Sequence, residues 1–295
     1  MTNCVRCGRP ISDSSFTSTA NLCPECRQAF TGTPKPATTA SPPMAAMRSA
    51  PYRPPVTVAI VGINVLVFAA MVLSGVSPMS PTSAQLLRFG ADFGPYTLGG
   101  QPWRILTSNY VHVGLFHILF NMWCLWDLGR LSERILGGWT YFLTYTACGI
   151  AGSLASLWIH PGVPGAGASG AIFGLAGALI TALYLGKLPY PQQMMRGLLR
   201  SLLSFAGYNL FFGAVVPAID NSAHIGGLIM GLAIGALLAK QLPEAPERRR
   251  AHERLMFTIV ALFLIGFGAF VQKQSGWVVE KYRQLNSSQP HTQEP

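Results

Sequence analysis

Three apolar stretches of the chain open on residues able to do acyl-transfer chemistry. One begins His112-Val-Gly-Leu-Phe-His117-Ile-Leu-Phe-Asn121. A second begins Gly165-Ala-Gly167-Ala-Ser169-Gly170-Ala-Ile-Phe173-Gly174, and a third Asp220-Asn-Ser-Ala223-His224-Ile-Gly-Gly227. A serine hydroxyl is a weak nucleophile until a base takes its proton. His224 is the histidine placed to serve. Near a helix N-terminus the dipole disfavours its charged form, so it rests as the neutral base. Ser169 opens its own helix, and its backbone N–H points toward any oxyanion formed there. His117 and Asn121 are four apart, share a helix face, and can donate to the same oxyanion. No carboxylate is an obvious third member, because Asp220 is expected in the loop before the helix. The residues therefore read as a Ser169–His224 dyad. Taken singly, each has a structural explanation: a serine bonding back to a carbonyl, a histidine or asparagine as interhelical glue, a glycine as a packing device. Three such openings at one depth favour a site.

The elements that must position these residues are membrane spans. Half of the 295 residues are hydrophobic and only 11% are charged, against about 25% charged in a soluble domain. Mean hydropathy is +0.35. That composition excludes a soluble enzyme and a disordered chain. The net charge of +10 is spread among loops between apolar runs, and no block of base-stacking aromatics accompanies it, so nucleic acid is not an expected partner. Seven apolar segments follow, at roughly 56–74, 114–128, 139–159, 168–186, 198–216, 222–239 and 255–272. The second is short for a span of about 20 residues and is expected to extend toward Leu131. Segments two, four and six run in the same direction, which sets His117, Asn121, Ser169 and His224 within the first two turns of parallel helices. Gly231 and Gly235 follow His224 on nearly its own face, and Gly170, Gly174 and Gly177 lie beside Ser169, so the fourth and sixth segments can pack closely. About 16 apolar residues separate Ser169 from Lys187, roughly 25 Å of helix against a hydrocarbon core of about 30 Å. The start of that helix is expected to be sunken, with 161–167 lining a cavity that admits water.

The first 30 residues hold Cys4-Val-Arg-Cys7 and Cys23-Pro-Glu-Cys26. Two such knuckles suit a four-thiolate zinc site, and a segment this short needs a metal to fold. Disulfides or free thiols are the other reading. Residues 31–55 form a Pro-rich linker, 56–240 the six-helix core, 241–272 a loop and a seventh helix, and 273–295 a polar tail expected to be disordered. Seven spans put the termini on opposite sides. With the N-terminus inside, sixteen of the 21 Lys and Arg face inward, as the positive-inside rule requires. The cysteines then lie in a reducing compartment, which favours zinc. No signal or transit peptide is evident, which favours a bacterial cell membrane over an organelle.

Together these motifs resemble the rhomboid family of intramembrane serine proteases. Gly167-Ala168-Ser169-Gly170 matches its GxSG motif, and Ala223-His224 with Gly227 and Gly231 its AHxxGxxxG. His117 and Asn121 match HxxxN, Trp103-Arg104 the WR pair, and Glu133 with Gly137 resembles ExxxG. The resemblance covers about 56–240. It implies a rhomboid-like core of six helices with one C-terminal helix added, in an all-α polytopic protein. It implies Ser169 as nucleophile and His224 as general base and acid. It implies an oxyanion held by Asn121, His117 and the Ser169 amide, with Gly167, Gly170, Phe173, Trp103 and Arg104 in support. Substrates would be single-span membrane proteins cut within or next to the transmembrane segment, in contact with the lipid bilayer. No cofactor is implied for the reaction. Phe173 departs from the Tyr that some bacterial members carry against the catalytic histidine; stacking is kept and a hydroxyl is lost. The cysteine pairs lie outside the resemblance, and nothing in the sequence sets an oligomeric state. The competing functions are an inactive relative that binds membrane clients and a transporter or channel. Both dyad residues are present, which argues against the first. No acidic residue lies mid-span and no inverted repeat is visible, which argues against the second.

Overall fold

The computed structural model describes residues 2–5, 7–11, 26, 53–186, 190–216, 219–242 and 246–287. The chain divides into two compact units, Met1–Arg53 and Pro54–Pro295. In the first, a two-residue strand β1 (Thr2–Asn3) pairs antiparallel with β2 (Pro10–Ile11). Most of the linker 31–55 lies outside the described residues.

The second unit, among its described residues, has helices as its regular elements. It comprises α1 (Pro55–Leu73), three short helices α2 (Ser83–Arg88), α3 (Gly94–Thr97) and α4 (Arg104–Thr107), a 3-10 turn at Ser108–Tyr110, and then α5 (Leu115–Leu136). There follow α6 (Gly138–Ile159), α7 (Ser169–Leu185), α8 (Gln192–Val215), α9 (Asn221–Ala239), α10 (Pro246–Ser275) and α11 (Trp277–Ser287). Among the described residues, α1, α6, α8, α9 and Arg249–Ser275 of α10 are long and apolar enough to cross a membrane. Arg104–Tyr110 with α5 makes a sixth candidate, bent by 92°. The bend is at Gly114, whose φ of 115° suits glycine and where a Cβ would lie 2.9 Å from the Met79 carbonyl oxygen. At 17 residues α7 is shorter than the spans. Large apolar side chains such as Leu66, Trp123, Phe211 and Ile265 stay exposed on the outer faces, as lipid contact requires. The protein is an all-α, multi-pass integral membrane protein.

Two expectations are corrected. The second apolar segment does not stop near Leu131, because α5 continues to Leu136. Leu125, Gly129, Ser132, Glu133 and Leu136 recur at helical spacing and are all buried, while the charges of Asp127 and Arg130 stay exposed. The tail from 273 is not unstructured throughout: α10 runs to Ser275 and α11 follows. Low hydropathy hid a docking face. Val278 is buried, and Tyr282, four residues on, meets Phe93 and Tyr96 edge to face at 5.7 and 5.8 Å.

Glu133 closes the end of the bundle opposite Ser169. A helix starts with unpaired N–H groups, and α1, opening on prolines, has no side-chain cap of its own. Glu133 from α5 supplies it, accepting from the Val56 amide at 3.0 Å, the Thr57 amide at 2.8 Å and the Thr57 hydroxyl at 2.7 Å. Nearby, Glu253 of α10 accepts from Thr140 and Arg249, and Arg249 donates to the Leu136 carbonyl. Glu133→Ala leaves three donors without an acceptor in a buried place. It is expected to lower the unfolding free energy by about 3–5 kcal/mol. Glu133→Gln, which keeps one acceptor oxygen, is expected to lose less, as thermal unfolding in detergent would read.

Candidate active site

The site stands on the packing of α7 against α9. Glycines meet the facing backbone directly. A Cβ on Gly227 would overlap the Gly170 carbonyl, one on Gly231 the Gly174 carbonyl, and one on Gly235 the Ala178 carbonyl. The three contacts recur at four-residue spacing along both helices, so the two backbones touch over two turns. α6 joins them through Gly152, where a Cβ would lie 2.8 Å from the Ala223 carbonyl oxygen.

This packing brings the neighbours of Ser169 onto those of His224. A Cβ on Gly170 would lie 3.3 Å from the Ala223 carbonyl oxygen. The Phe173 ring, one turn after Ser169 on the same face, stacks on the His224 imidazole at 4.2 Å and 13°. Ser169 is half-buried at the first position of α7, and His224 is buried. Among the described residues no hydrogen bond joins the two side chains, and His224 Nδ1 has no partner. Among the described residues Asp220 makes no side-chain hydrogen bond to His224. It is the N-cap of α9, and its Oδ1 accepts from the amides of Ser222 and Ala223 at 3.0 and 3.1 Å.

His117 approaches Gly167, two residues before Ser169, from α5. A Cβ on Gly167 would lie 2.6 Å from His117 Cε1 and 3.0 Å from Nε2, and Gly167 has φ of 132°. Only glycine suits both the backbone angle and the ring beside it. His117 Nδ1 accepts from the Val113 amide at 3.3 Å, so the ring proton belongs on Nε2, the nitrogen nearer Gly167. Asn121 is buried and donates from Nδ2 to the His117 carbonyl at 2.9 Å. One of its two N–H bonds remains for another acceptor.

The loop before Ser169 is held by the α2–α4 region, a contribution the sequence reading missed. Gly94 N donates to Pro161 O at 2.9 Å, Asp92 and Gly165 exchange two main-chain bonds at 2.8 and 2.7 Å, and Gly167 N donates to Ser108 O at 2.9 Å. Arg104 fixes that region internally, reaching Gln101 Oε1, Leu87 O and Ala91 O at 2.6, 2.7 and 3.0 Å. Its guanidinium lies over the half-exposed Trp103 ring at 4.6 Å. His112, fully buried, packs on His117 at 5.2 Å. It was visible as a polar residue before α5, but no spacing rule ties it to a partner.

In the N-terminal unit, the sulfurs of Cys4, Cys7 and Cys26 lie within 4.8 Å of one another. The Cys4 amide donates to Arg9 O at 2.8 Å and the Gly8 amide to Cys4 O at 2.9 Å, with Gly8 at φ 73°. This is a tight turn with thiols on one side, a donor set that suits a soft tetrahedral ion. Cys23 lies outside the described residues.

In this helical membrane bundle, Ser169 and His224 thus stand in the first turns of neighbouring helices, with His117 beside Gly167 and Asn121 one turn further along α5. The family model described as "Rhomboid domain" matches residues 99–241. The chain is 39% identical over 216 residues to "Rhomboid protease GluP" of Bacillus subtilis, covering 73% of this chain and 40% of that protein. It is 30% identical over 232 residues to "Rhomboid protease AarA" of Providencia stuartii, covering 71% and 79%. To "RHOMBOID-like protein 4" of Arabidopsis thaliana it is 31% identical over 200 residues, covering 63% and 50%. The chain spans about half the length of several of these relatives. It belongs to the rhomboid family.

Proposed function

We propose that this chain is an intramembrane serine endopeptidase that cleaves single-span membrane proteins within or next to their transmembrane segment, with Ser169 and His224 as a dyad. The observation that carries the reading is the stack of Phe173 on His224, one turn from Ser169 on a helix locked to the histidine's by glycine contacts. Relatives named as rhomboid proteases support it.

The reaction would run as acyl transfer. Ser169 Oγ attacks the peptide carbonyl carbon while His224 Nε2 takes the hydroxyl proton. The negative charge moves to the carbonyl oxygen, where the Ser169 amide, His117 Nε2–H and the second Asn121 N–H can donate. Collapse breaks the C–N bond, and His224 returns the proton to the leaving amine. A water molecule, deprotonated by His224, then attacks the ester and frees Ser169. With Nδ1 unpartnered among the described residues, the imidazole is oriented by the Phe173 ring rather than by a carboxylate. The expected orientation has the N-terminus cytoplasmic and the C-terminus outside a bacterial cell membrane, with 56–240 as the catalytic core. Reconstituted protein incubated with a single-span substrate tests the activity. Cuts at or beside the substrate's span support the reading, and intact substrate carried in complex with the protein favours the client-binding alternative.

The N-terminal cysteines are proposed to hold one structural zinc through Cys4, Cys7, Cys23 and Cys26, with no part in the reaction. The mutual approach of three of the sulfurs supports this. Purified protein is expected to carry about one zinc per chain. Cys4→Ser should lower that content at least about tenfold without changing the cleavage rate, as elemental analysis beside an activity assay would show. Metal-free protein with intact thiols would contradict the assignment.

A further inference from the structure

One buried carboxyl has no part in the reaction described. Asp92 is 3% exposed and lies between the spans, on the segment that holds the serine loop. Its main chain is bonded twice to Gly165, four residues before Ser169. Its Oδ1 accepts from the Thr97 hydroxyl at 2.5 Å. Its Oδ2 is sealed from solvent and has no partner among the described residues. A second carboxyl faces the same spot. A Cβ at Gly165 would lie 3.8 Å from Asp92 Cβ and 4.0 Å from Asp220 Oδ2. The two acids thus bracket the start of the serine loop, one on the segment that holds it, the other capping the helix that carries His224.

The charged groups acting on Asp92 are Asp220, from the cap of α9, and Arg104, from α4. Arg104 is committed to three other acceptors. Asp220 also acts on His224, one turn into α9. Ionising the buried Asp92 carboxyl beside the half-buried Asp220 carries a cost. Burial, with a smaller contribution from the Asp220 charge, pushes the Asp92 carboxyl up from 3.8 to about 7 against the opposing Thr97 hydroxyl, Phe93 amide and Arg104.

We propose that Asp92 is a positioning residue that keeps one proton while the site is assembled. Its ionisation sets Asp92 and Asp220 against each other and loosens the joint between the serine loop and the His224 helix. The consequence for cleavage rests on the proteolytic reading, whereas the proton itself does not.

The sign follows from linkage. A carboxyl whose folded pKa is raised gives stability that is fully present below the unfolded value of 3.8 and is lost as pH climbs to about 7. Thermal unfolding of the full chain in detergent, scanned between about pH 5 and about pH 8, tests this with Asp92→Asn and Asp220→Asn. The wild-type midpoint is expected to fall by about 5 °C or more across that range. Asp92→Asn should remove the fall. Asp220→Asn, which keeps a helix cap, should let Asp92 ionise at lower pH, so that the fall comes at lower pH and is shallower. Infrared difference spectra supply a readout independent of folding: a carboxylic-acid C=O band lost on alkalinisation, present in wild type, absent in Asp92→Asn. In the cleavage assay, wild type should fall about tenfold relative to Asp92→Asn on the alkaline side. An Asp92→Asn protein with the wild-type pH profile of unfolding, or a wild type without the infrared band, overturns the proposal. A protein that shows both physical signatures but cuts nothing would instead overturn the proteolytic reading.

Discussion

Ser169→Ala is expected to reduce cleavage by about 10³-fold or more while leaving the melting temperature unchanged. The two halves of that result have separate causes. Removing the nucleophile removes the acyl-enzyme route, and members of such a pair act as a unit, so the first loss is nearly the whole loss. Stability is spared because the hydroxyl makes no hydrogen bond among the described residues. Ala168 is the N-cap of α7, no side chain caps that helix, and alanine is the best helix former. His224→Ala should lose as much activity but also stability. It deletes a buried ring from its stack on Phe173, and truncating a buried aromatic costs about 2–4 kcal/mol. The double variant should be no slower than either single one. Cleavage by Ser169→Ala at more than about a tenth of the wild-type rate would mean that another group is the nucleophile.

The second large effect concerns a residue that touches no substrate. Gly231→Ala places a methyl on the Gly174 carbonyl oxygen, carbon and Cα, all backbone atoms. A flexible side chain could turn away, but a helix backbone cannot, so α7 and α9 must separate. Overpacking of a rigid contact costs about 1–3 kcal/mol, occasionally more, and a displacement of about 1 Å at a reacting pair can cost about 10²-fold in rate. We expect both: a clear fall in unfolding temperature and a cleavage rate down by about 10²-fold. Gly207→Ala in α8 is the matched control, because nothing lies within 4 Å of its added carbon. It should be neutral or stabilise by up to about 1 kcal/mol. Equal behaviour of the two variants would mean that the glycine contacts do not fix the dyad.

What the sequence disclosed and what it withheld divide along physical lines. Spans are legible because a bilayer demands long apolar runs, and α1, α6, α8, α9 and α10 answer to that demand. The glycines at 170, 174, 227, 231 and 235 are legible because close packing leaves a four-residue rhythm in both partners. Ser169, His117 and His224 stand out because polar groups among apolar ones are costly. The contribution of Asp92 was hidden. It works through two main-chain bonds to a residue 73 positions away, and main-chain bonds leave no trace in residue type. Glu133 was visible as part of a motif, but its task, closing the N-terminus of α1 across 76 positions, was not. α11 was missed because its docking face is Val278 and Tyr282 in an otherwise polar stretch. That is too little apolar surface to register before its partner, the Phe93–Tyr96 corner, is in place.

The most direct test of the central claim is covalent. Protein in detergent is treated with a fluorophosphonate probe, digested, and the adduct mapped by mass spectrometry. Only a serine whose proton is taken by a neighbouring base attacks such a phosphorus centre at a useful rate. One labelled residue is expected, Ser169, with labelling lost in His224→Ala and kept in Cys4→Ser. Unlabelled Ser169 in protein that is folded by its melting curve, or labelling undiminished by His224→Ala, would contradict the dyad.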